Sequence, residues 1–397
     1  MQGKNGNTSL KISDAVIEKD GLWASCDDFN GLLHFDFKKN KAVIIDEFPG
    51  IPLFVQYAFS CVVRIGDLLV FVPGSVNAIY TYHIVNGKFQ NYLLPEELTN
   101  EKKCKFAQAY VYGCKVYMIG YSKACILCFD TLRNSITYYN DFCLELYRKY
   151  RNKFQIVDKE VCRCGNQLFF PPRNGDCIIE FDMEKQQLFF HDFGYKEDIY
   201  MTLCYDDGYF WSYGVYSQII VQIDDQFRVK NEISLSTHFQ GKNIDIFRFS
   251  YKKGNYIWLF SNQLAQYVKV DILGRKMDIR ILEGQQEKTS YFSFSNIKRQ
   301  DGYIYIFEPE KKRMYRCDEA FWQIEPISLE ILQDDVDLYI KKRKWREIIQ
   351  EKQWQEIIRE NTYTNLDGFL KYIFIEKKLY IENGQNVGND IYNRTSM

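Results

Sequence analysis

The sequence predicts an all-β protein, a seven-bladed β-propeller of four-stranded antiparallel blades, that continues into a C-terminal α-helical tail. Three observations predict this architecture. One pattern of turn, strand, loop and strand recurs seven times, its period is about 40 to 50 residues, and the hydrophobic periodicity changes from two to that of a helix after about residue 328. The predicted domains are a propeller over residues 1–328 and a helical extension over residues 329–397.

Each copy of the pattern opens with a glycine in a predicted turn, where a residue without Cβ adopts positive φ at little cost. An aromatic and aliphatic strand such as Leu68–Val72 follows, then a polar loop, then a second strand that usually ends in an aspartate. His83 takes the aspartate's place in the second copy, and the glycine precedes this position by 15 to 17 residues in every copy. The opening glycines are Gly21, Gly66, Gly113, Gly165, Gly208, Gly254 and Gly302, and the strand-ending aspartates, interpreted as turn formers, are Asp36, Asp130, Asp182, Asp224, Asp271 and Asp318.

Each copy has room for four short strands, which is typical of a propeller blade. In the second copy they are Cys61–Arg64, Leu68–Val72, Ala78–Ile84 and Lys88–Leu93. The alternatives are one long β-sandwich or a β-solenoid. Solenoid coils are shorter than these copies, and a sandwich has no reason to preserve the glycine-to-aspartate distance. Because one blade cannot bury both faces of its sheet, we expect neighbouring blades to stack around a ring.

The repeated order of glycine, strand, loop, strand ending in Phe-Asp, turn and strand is clearest over Gly165–His191. Over about residues 13–328 it resembles the diverged seven-bladed propellers related to the kelch, NHL and YncE-like groups. The chain has no Gly-Gly doublet of the kelch type and no Trp-Asp dipeptide. The resemblance therefore implies the fold and no particular activity.

Composition narrows the choice of partner and compartment. The chain has 51 basic and 52 acidic residues and a net charge of −1, which does not favour nucleic acid or an anionic membrane surface. Aromatic residues make up 17% of the chain, as sheet-on-sheet packing would require. The first ten residues hold no apolar run of the signal-peptide type, and no stretch is long enough to span a membrane. We therefore expect a soluble, cytoplasmic, bacterial-type protein with no nucleic-acid partner and no membrane insertion.

The 12 cysteines are scattered through predicted strands and are interpreted as reduced core residues. Cys125 and Cys128 have a zinc-like spacing, but a separation of three in a strand places the two side chains on opposite faces. Cys162 and Cys164 could share a face, yet no second pair of ligands follows them. We therefore expect no metal and no cofactor.

The two termini carry separate predictions. Residues 1–12 are either frayed or form an outer strand of the last blade. Because the seventh copy has its own fourth strand at Phe321–Pro326, we expect the ring to close without an N-terminal clasp. The tail shows helical spacing, and it either packs against the propeller or docks a partner or a second subunit. Its candidate docking residues are Trp345, Ile348, Ile349, Trp354, Ile357, Phe369 and Phe374.

The loops between second and third strands are expected to surround one mouth of the central channel. Ring closure places the last blade beside the first, so Glu308 and Glu310 are expected to join Asp27 and Asp28 in an acidic sector. A basic sector with Lys123 and Arg173 would lie across the mouth. Such a dipolar rim suits a protein, peptide or glycan. The candidate rim residues are Asp27, Asp28, Asn77, Tyr121, Lys123, Arg173, Asn174, Tyr213, Tyr216, Gln218, Asn262, Gln263 and Glu308.

Catalysis has less support in the sequence than binding. The four histidines, His34, His83, His191 and His238, show no pairing with a nucleophile or a metal cluster. The first hypothesis is therefore a non-enzymatic binding propeller whose helical tail serves docking or assembly. The alternative is a hydrolase or lyase that uses Asp27, Asp28, Glu308 and Glu310 as rim carboxylates. A third hypothesis is a scaffold whose active surface is the tail.

Overall fold

The computed structural model describes residues 6–100, 104–121, 125–139, 161–171, 177–192, 198, 200–235, 247–261, 266–274, 276–281, 295–318 and 324–350. The chain forms two compact units, Met1–Gln333 and Asp334–Met397. The first unit contains all the strands, and the second contains most of one helix. Each unit is described by itself below.

The first unit is a ring of seven four-stranded antiparallel blades, which confirms the predicted fold class. A short strand β1 (Asn7–Ser9) precedes them. Blade one consists of β2 (Ala15–Glu18), β3 (Gly21–Ser25), β4 (Leu32–Asp36) and β5 (Lys41–Asp46), and blade two consists of β6 (Phe59–Ile65), β7 (Leu68–Pro73), β8 (Ala78–His83) and β9 (Lys88–Leu93). Blade three consists of β10 (Phe106–Tyr112), β11 (Lys115–Gly120), β12 (Ile126–Asp130) and β13 (Ser135–Tyr139). Blade four consists of β14 (Cys162–Cys164), β15 (Gln167–Phe170), β16 (Cys177–Asp182) and β17 (Gln187–Asp192).

Blades five to seven follow the same plan. Blade five consists of β18 (Cys204–Asp206), β19 (Tyr209–Gly214), β20 (Ile219–Ile223) and β21 (Val229–Ser234). Blade six consists of β22 (Phe247–Lys253), β23 (Tyr256–Ser261), β24 (Gln266–Asp271) and β25 (Lys276–Ile281). Blade seven consists of β26 (Asn296–Gln300), β27 (Tyr303–Glu308), β28 (Arg313–Asp318) and β29 (Ile324–Ser328). A short helix α1 (Glu96–Thr99) links blades two and three, and a 3₁₀ turn (Pro309–Lys311) lies in blade seven. In every sheet the spatial order of the strands is their order in the chain, so each blade is a meander.

The glycines that open the copies fall into two structural types. Gly66 has φ of 56° and Gly302 has φ of 79°, so both turns need the left-handed conformation that glycine adopts without strain. Gly21 departs from the prediction because it begins β3 and is not in a positive-φ turn. A Cβ at this position would lie 2.3 Å from the carbonyl oxygen of Phe35, so a close backbone approach requires the glycine here.

The strand-ending aspartates form one repeated turn. Asp130 Oδ1 accepts hydrogen bonds of 3.0 Å from the backbone N–H groups of Leu132 and Arg133. The same arrangement occurs at Asp36, Asp182 and Asp271, and Asp224 accepts from the backbone N–H groups two and four residues on. A short acidic side chain that accepts from the backbone two residues on stabilises a tight turn. These aspartates therefore close the third-to-fourth-strand turns, as interpreted from the sequence.

The core lies between neighbouring blades, where two sheets face each other. Between blades three and four the Tyr117 hydroxyl donates to the Met183 carbonyl at 2.7 Å, and the Tyr117 and Phe181 rings meet edge-on at 5.5 Å. Cys128 packs in this layer, whereas Cys125 packs in the layer between blades two and three. The two thiols therefore lie on opposite faces of blade three, as strand geometry predicts.

The ring closes without borrowing a strand. Blade seven is completed by its own fourth strand, β29, which the sequence placed at Phe321–Pro326 and which extends to Ser328; residues 319–323 lie outside the described part. The N-terminal strand β1 pairs antiparallel with β30 (Glu330–Leu332), and the Leu10 N–H donates to the Leu329 carbonyl at 3.0 Å. The start of the chain is thus fastened to the segment that follows blade seven, and not to blade seven itself.

The helix α2 covers Gln333–Gln350, and all of it except Gln333 belongs to the second unit. It begins four residues later than the predicted helical extension, because residues 330–332 form β30. Trp345, Ile348 and Ile349 lie in α2, but their side chains and the whole of Trp354, Ile357, Phe369 and Phe374 are outside the described residues. Neither helix in the described ranges is long and apolar enough to cross a membrane.

Candidate functional site

The antiparallel meanders give the central channel two different mouths. The turns between first and second strands, such as residues 18–21, 64–66 and 163–165, lie at one end, which we call the turn mouth. The loops between second and third strands, such as residues 26–31 and 309–312, lie at the other end with the connections between blades. We call this end the loop mouth. The predicted rim residues are on its loops.

Two of the four predicted carboxylates of the loop mouth, Asp28 and Glu310, form ion pairs between blades one and seven. Asp28 Oδ2 accepts a hydrogen bond from the Lys312 ammonium at 3.0 Å and another from the backbone N–H of Lys11 at 2.9 Å. The Lys11 ammonium in turn pairs with Glu310 at 2.6 Å. Blade one and blade seven are therefore joined by two ion pairs. The predicted acidic sector therefore also contains two lysines, Lys11 and Lys312, which were not predicted.

The remaining two carboxylates, Asp27 and Glu308, have separate partners. Asp27 Oδ2 accepts from the Ser13 hydroxyl at 2.6 Å. Glu308 is only 1% exposed and receives the Arg313 guanidinium at 2.7 Å and the Tyr315 hydroxyl at 3.1 Å. A buried charge with two donors is compensated where it lies, and this arrangement is typical of a structural ion pair.

Lys11 connects the charged cluster to exposed aromatic rings. Burial opposes its charge, but the bond to Glu310 and the charges of Tyr57, Glu310 and Asp27 outweigh burial and raise the pKa of Lys11 above its ordinary value. Its ammonium lies 5.4 Å from the centre of the Tyr57 ring, within the range of a cation–π contact. Tyr57 is 48% exposed and nearby in sequence Phe54 is 60% exposed. This interblade connection therefore presents apolar surface beside the ion pairs.

The other predicted rim residues differ in exposure. Tyr213 is 1% exposed and packs edge-on against Phe247 at 5.0 Å, so it belongs to the core. Tyr216 is 66% exposed on a loop that Asp198 fixes by accepting from the Tyr216 N–H at 2.9 Å. Asn77 is exposed, Tyr121 is half-buried, and Gln218 adopts φ of 54°. Lys123, Arg173, Asn174, Asn262 and Gln263, including the whole basic sector, lie outside the described residues.

The histidines that the structure describes lie in blade strands. His34 packs on Trp23 with ring centroids 4.5 Å apart. His191 Nε2 is 2.7 Å from Glu180 Oε2, and the ring stacks on Phe227 at 3.7 Å. His83 ends β8, and His238 is not among the described residues. Within the described ranges no group of three His, Cys, Asp or Glu side chains could hold a metal ion.

A buried polar network crosses the channel between the two mouths. Asp14, 4% exposed, accepts bonds of 2.8 Å from the Asn296 amide, the Val62 N–H and the Lys298 ammonium. Asn296 Oδ1 accepts from the Gln108 amide at 2.8 Å. Because Gln108 is in blade three and Asn296 is in blade seven, this bond spans blades that are not neighbours. Burial raises the pKa of Asp14, although Lys298 and the backbone donors oppose the shift.

A cavity of about 910 Å³ lies on the other side of this network, at the turn mouth. Ala15 and Lys298 border both the cavity and the network. The charged residues that line it are Glu18, Lys19, Asp20, Arg64, Arg163, Lys298 and Arg299, five cations and two acids. None of the site residues predicted from the sequence lines this cavity.

A signal for the cavity is present in the repeat. A basic residue stands two positions before the opening glycine in four copies, at Lys19, Arg64, Arg163 and Lys252. This position lies within one residue of the end of the first strand of a blade, at the end of the ring that carries the turn mouth. The position marks three of the five lining cations, Lys19, Arg64 and Arg163, whereas Lys298 and Arg299 stand at other positions of the seventh copy.

Comparisons with known proteins identify the fold. No family model matches the chain, and no curated protein sequence matches it. Its structure is similar to a streptogramin B lyase, with 13% identity and a TM-score of 0.53 over 77% of this chain and 94% of the other. It is also similar to virginiamycin B lyase from Staphylococcus aureus, with 12% identity and a TM-score of 0.51 over 77% and 96%.

A further similar structure is the extracellular domain of a putative hybrid two-component system from B. thetaiotaomicron. It shows 11% identity and a TM-score of 0.51 over 76% of this chain and 37% of the other. At these identities the likeness concerns the fold alone. The chain is a diverged seven-bladed propeller repeat protein.

Proposed function

We propose that the protein is a non-enzymatic binding propeller whose loop mouth recognises a protein, peptide or glycan. The observation that carries the proposal is the half-exposed Tyr57 ring beside the Lys11 ion pair, with Phe54 exposed three residues earlier in the same interblade connection. Aromatic rings next to compensated charges supply apolar contact area and hydrogen-bonding groups at the same surface. This combination suits an extended ligand with both apolar and polar groups.

The bonding of the four rim carboxylates weighs against the alternative of a hydrolase or lyase. A general acid or base must be free to exchange a proton with its substrate. Asp28 and Glu310 are engaged by lysines, Asp27 by Ser13, and Glu308 is buried under Arg313 and Tyr315. These contacts favour a structural role, and the rim is better equipped to bind than to transfer protons.

The C-terminal helical tail is proposed to serve docking or assembly. Its helical pattern and its apolar residues support docking or assembly, as the sequence suggests. A chain that ends at Gln333 tests this role, because Met1–Gln333 is a compact unit by itself. We expect the shortened chain to keep its circular-dichroism strand spectrum and to lose association in sedimentation. Association that survives the deletion would contradict a docking tail.

The binding proposal is tested by affinity capture from the native host followed by a direct binding titration of the captured ligand. The variant Tyr57→Ala removes the ring that contacts Lys11, and the matched control Tyr303→Ala removes a ring that is 42% exposed at the turn end of blade seven. We expect Tyr57→Ala to weaken binding about tenfold or more, and the control to leave it unchanged within about twofold.

The same titration separates the two functions. If the captured ligand is turned over, and Asp28→Asn abolishes turnover while affinity is kept, the protein is an enzyme and the binding proposal fails. Equal affinity of wild type and Tyr57→Ala would place the ligand elsewhere on the molecule.

A further inference from the structure

The charges that line the turn-mouth cavity do not cancel. Glu18 pairs with Arg64, and Asp20 pairs with Lys38 at 2.8 Å. Lys298 is neutralised by Asp14 at 2.8 Å. Both lining acids and two of the five lining cations are therefore already paired. Three cations remain at this mouth, namely Lys19, Arg163 and Arg299.

The two remaining arginines are held in place by neutral groups. Arg163 Nε donates to the Gly165 carbonyl at 3.0 Å. The Arg299 guanidinium lies 4.2 Å from the centre of the Tyr251 ring. Within the described part of the chain neither side chain has a carboxylate partner, and Lys19 is exposed and has none there either. These contacts orient the guanidinium groups without neutralising them.

The three cations surround the cavity. Lys19 is in blade one, Arg299 in the adjacent blade seven, and Arg163 in blade four on the far side of the ring. An anion in the cavity would meet positive charge from two sides. All three side chains are exposed to solvent, and oriented guanidinium groups bind phosphate through paired N–H donors.

The surroundings select a small anion. The cavity volume of about 910 Å³ is within the range of about 300–1,000 Å³ for small-molecule sites. The hydrogen bonds of Asp14, Asn296 and Gln108 join blades one, three and seven across the channel behind the cavity, which disfavours the threading of a polymer. The turn aspartates such as Asp36 and Asp130 add negative charge at the end of the ring that carries the turn mouth, which opposes binding of a long polyanion or an anionic membrane.

We propose that the turn mouth is a binding site for a small molecule that carries two or more phosphate groups, held by Lys19, Arg163 and Arg299. The site is at the opposite end of the ring from the loop mouth. It is therefore independent of the proposed binding of a protein, peptide or glycan, and either proposal can fail alone.

The test is calorimetric titration of the full chain with sodium tripolyphosphate at low and at high salt. We expect saturable binding at one site that weakens as salt increases. The variants Arg163→Gln and Arg299→Gln each lose charge-assisted hydrogen bonds, so each should weaken binding about tenfold or more. The matched control is Arg133→Gln, which removes the same charge from an exposed turn outside the cavity and should change affinity by less than about twofold.

Further variants and a competing polyanion test whether the arginines bind the phosphate groups. Arg163→Lys keeps the charge but loses the planar pair of donors, so it should fall between wild type and Arg163→Gln. If an arginine variant does not fold, as judged by circular dichroism, the exposed Lys19→Gln variant takes its place with the same expected direction. Absence of binding, an equal loss in Arg133→Gln, or a poly-glutamate peptide that binds as tightly as tripolyphosphate would overturn the proposal.

Discussion

The two mouths of the channel are built by the same repeat but handle charge in opposite ways. At the loop mouth Asp28, Glu308 and Glu310 each have a cationic partner in the structure. At the turn mouth both lining acids are paired, and Arg163 and Arg299 are left with neutral partners. Charges in ion pairs stabilise the contacts between blades, whereas charges without an oppositely charged partner can bind a ligand. The difference indicates that closure of the ring and anion binding are located at opposite ends.

The largest loss of stability is expected from a substitution in the buried polar network that lies between the two mouths. Asp14→Ala would leave Lys298 near the channel centre without its carboxylate, and Asn296 and the Val62 N–H without an acceptor. Removal of one member of a buried pair costs about 3–5 kcal/mol, so we expect a loss of that order in the free energy of unfolding measured with urea.

The control for this variant is Asp67→Ala, which removes an exposed acid 3.6 Å from Arg64 and should cost at most about 1 kcal/mol. A loss for Asp14→Ala no larger than that of the control would mean that the network does not hold the blades, and that the channel is not divided as described.

A smaller effect distinguishes burial from exposure within the loop mouth. Glu308→Ala leaves the buried Tyr315 hydroxyl and the Arg313 guanidinium without an acceptor, so we expect a loss of about 1–3 kcal/mol in the free energy of unfolding. Glu310→Ala removes an acid whose side chain is 45% exposed and should cost about 0.2–1 kcal/mol. Similar losses for both variants in urea titrations would show that the Glu308 pair contributes no more than a surface pair.

The smallest effect concerns the turn aspartates at the end of the ring that carries the turn mouth. Hydrogen bonds from the backbone N–H groups of Arg133 and Leu132 hold the pKa of Asp130 below its ordinary value. A carboxyl group with a lowered folded pKa stabilises the fold above its unfolded pKa, near 3.9, and that stabilisation is lost as the pH falls through the folded value. The Asp130→Asn variant lacks the charge that provides this stabilisation but keeps the acceptor oxygen.

We therefore expect the stability difference between wild type and Asp130→Asn to favour wild type at neutral pH and to shrink as the pH falls below about 4. Urea titrations of both proteins at several pH values measure it. A difference that stays constant with pH would mean that the charge of Asp130 adds nothing to the turn.

Most of the fold could be predicted because its signals are local. The glycine turns and the aspartate turns involve residues within a few positions of each other, and the repeat displays the glycine in seven copies and the aspartate in six. Gly21 was misread because the close approach of Phe35 comes from the neighbouring strand. The charged cluster of the loop mouth could be predicted only in part from the sequence. Ring closure correctly suggested that residues of blade one adjoin those of blade seven, but it could not show that Lys11 and Lys312 reach the acids.

The channel network could not be predicted from the sequence. The Asp14–Asn296 bond joins residues that are 282 positions apart, and the Gln108–Asn296 bond joins residues 188 positions apart. Which inner-strand side chains point into the channel depends on the tilt of each blade, and hydrophobic periodicity carries no information about that tilt. The unpaired state of Arg163 and Arg299 likewise depends on where Glu18 and Asp20 place their carboxylates.

The most direct test of the contrast between the mouths is an anomalous difference map from a crystal of the full chain soaked in sodium tungstate. Tungstate is an oxyanion that reports where unpaired positive charge is accessible. The account predicts a peak within hydrogen-bonding distance of Arg163 or Arg299 at the turn mouth, and none beside Lys11 and Lys312 at the loop mouth. A peak beside the two lysines alone, or no peak at the turn mouth, would contradict it.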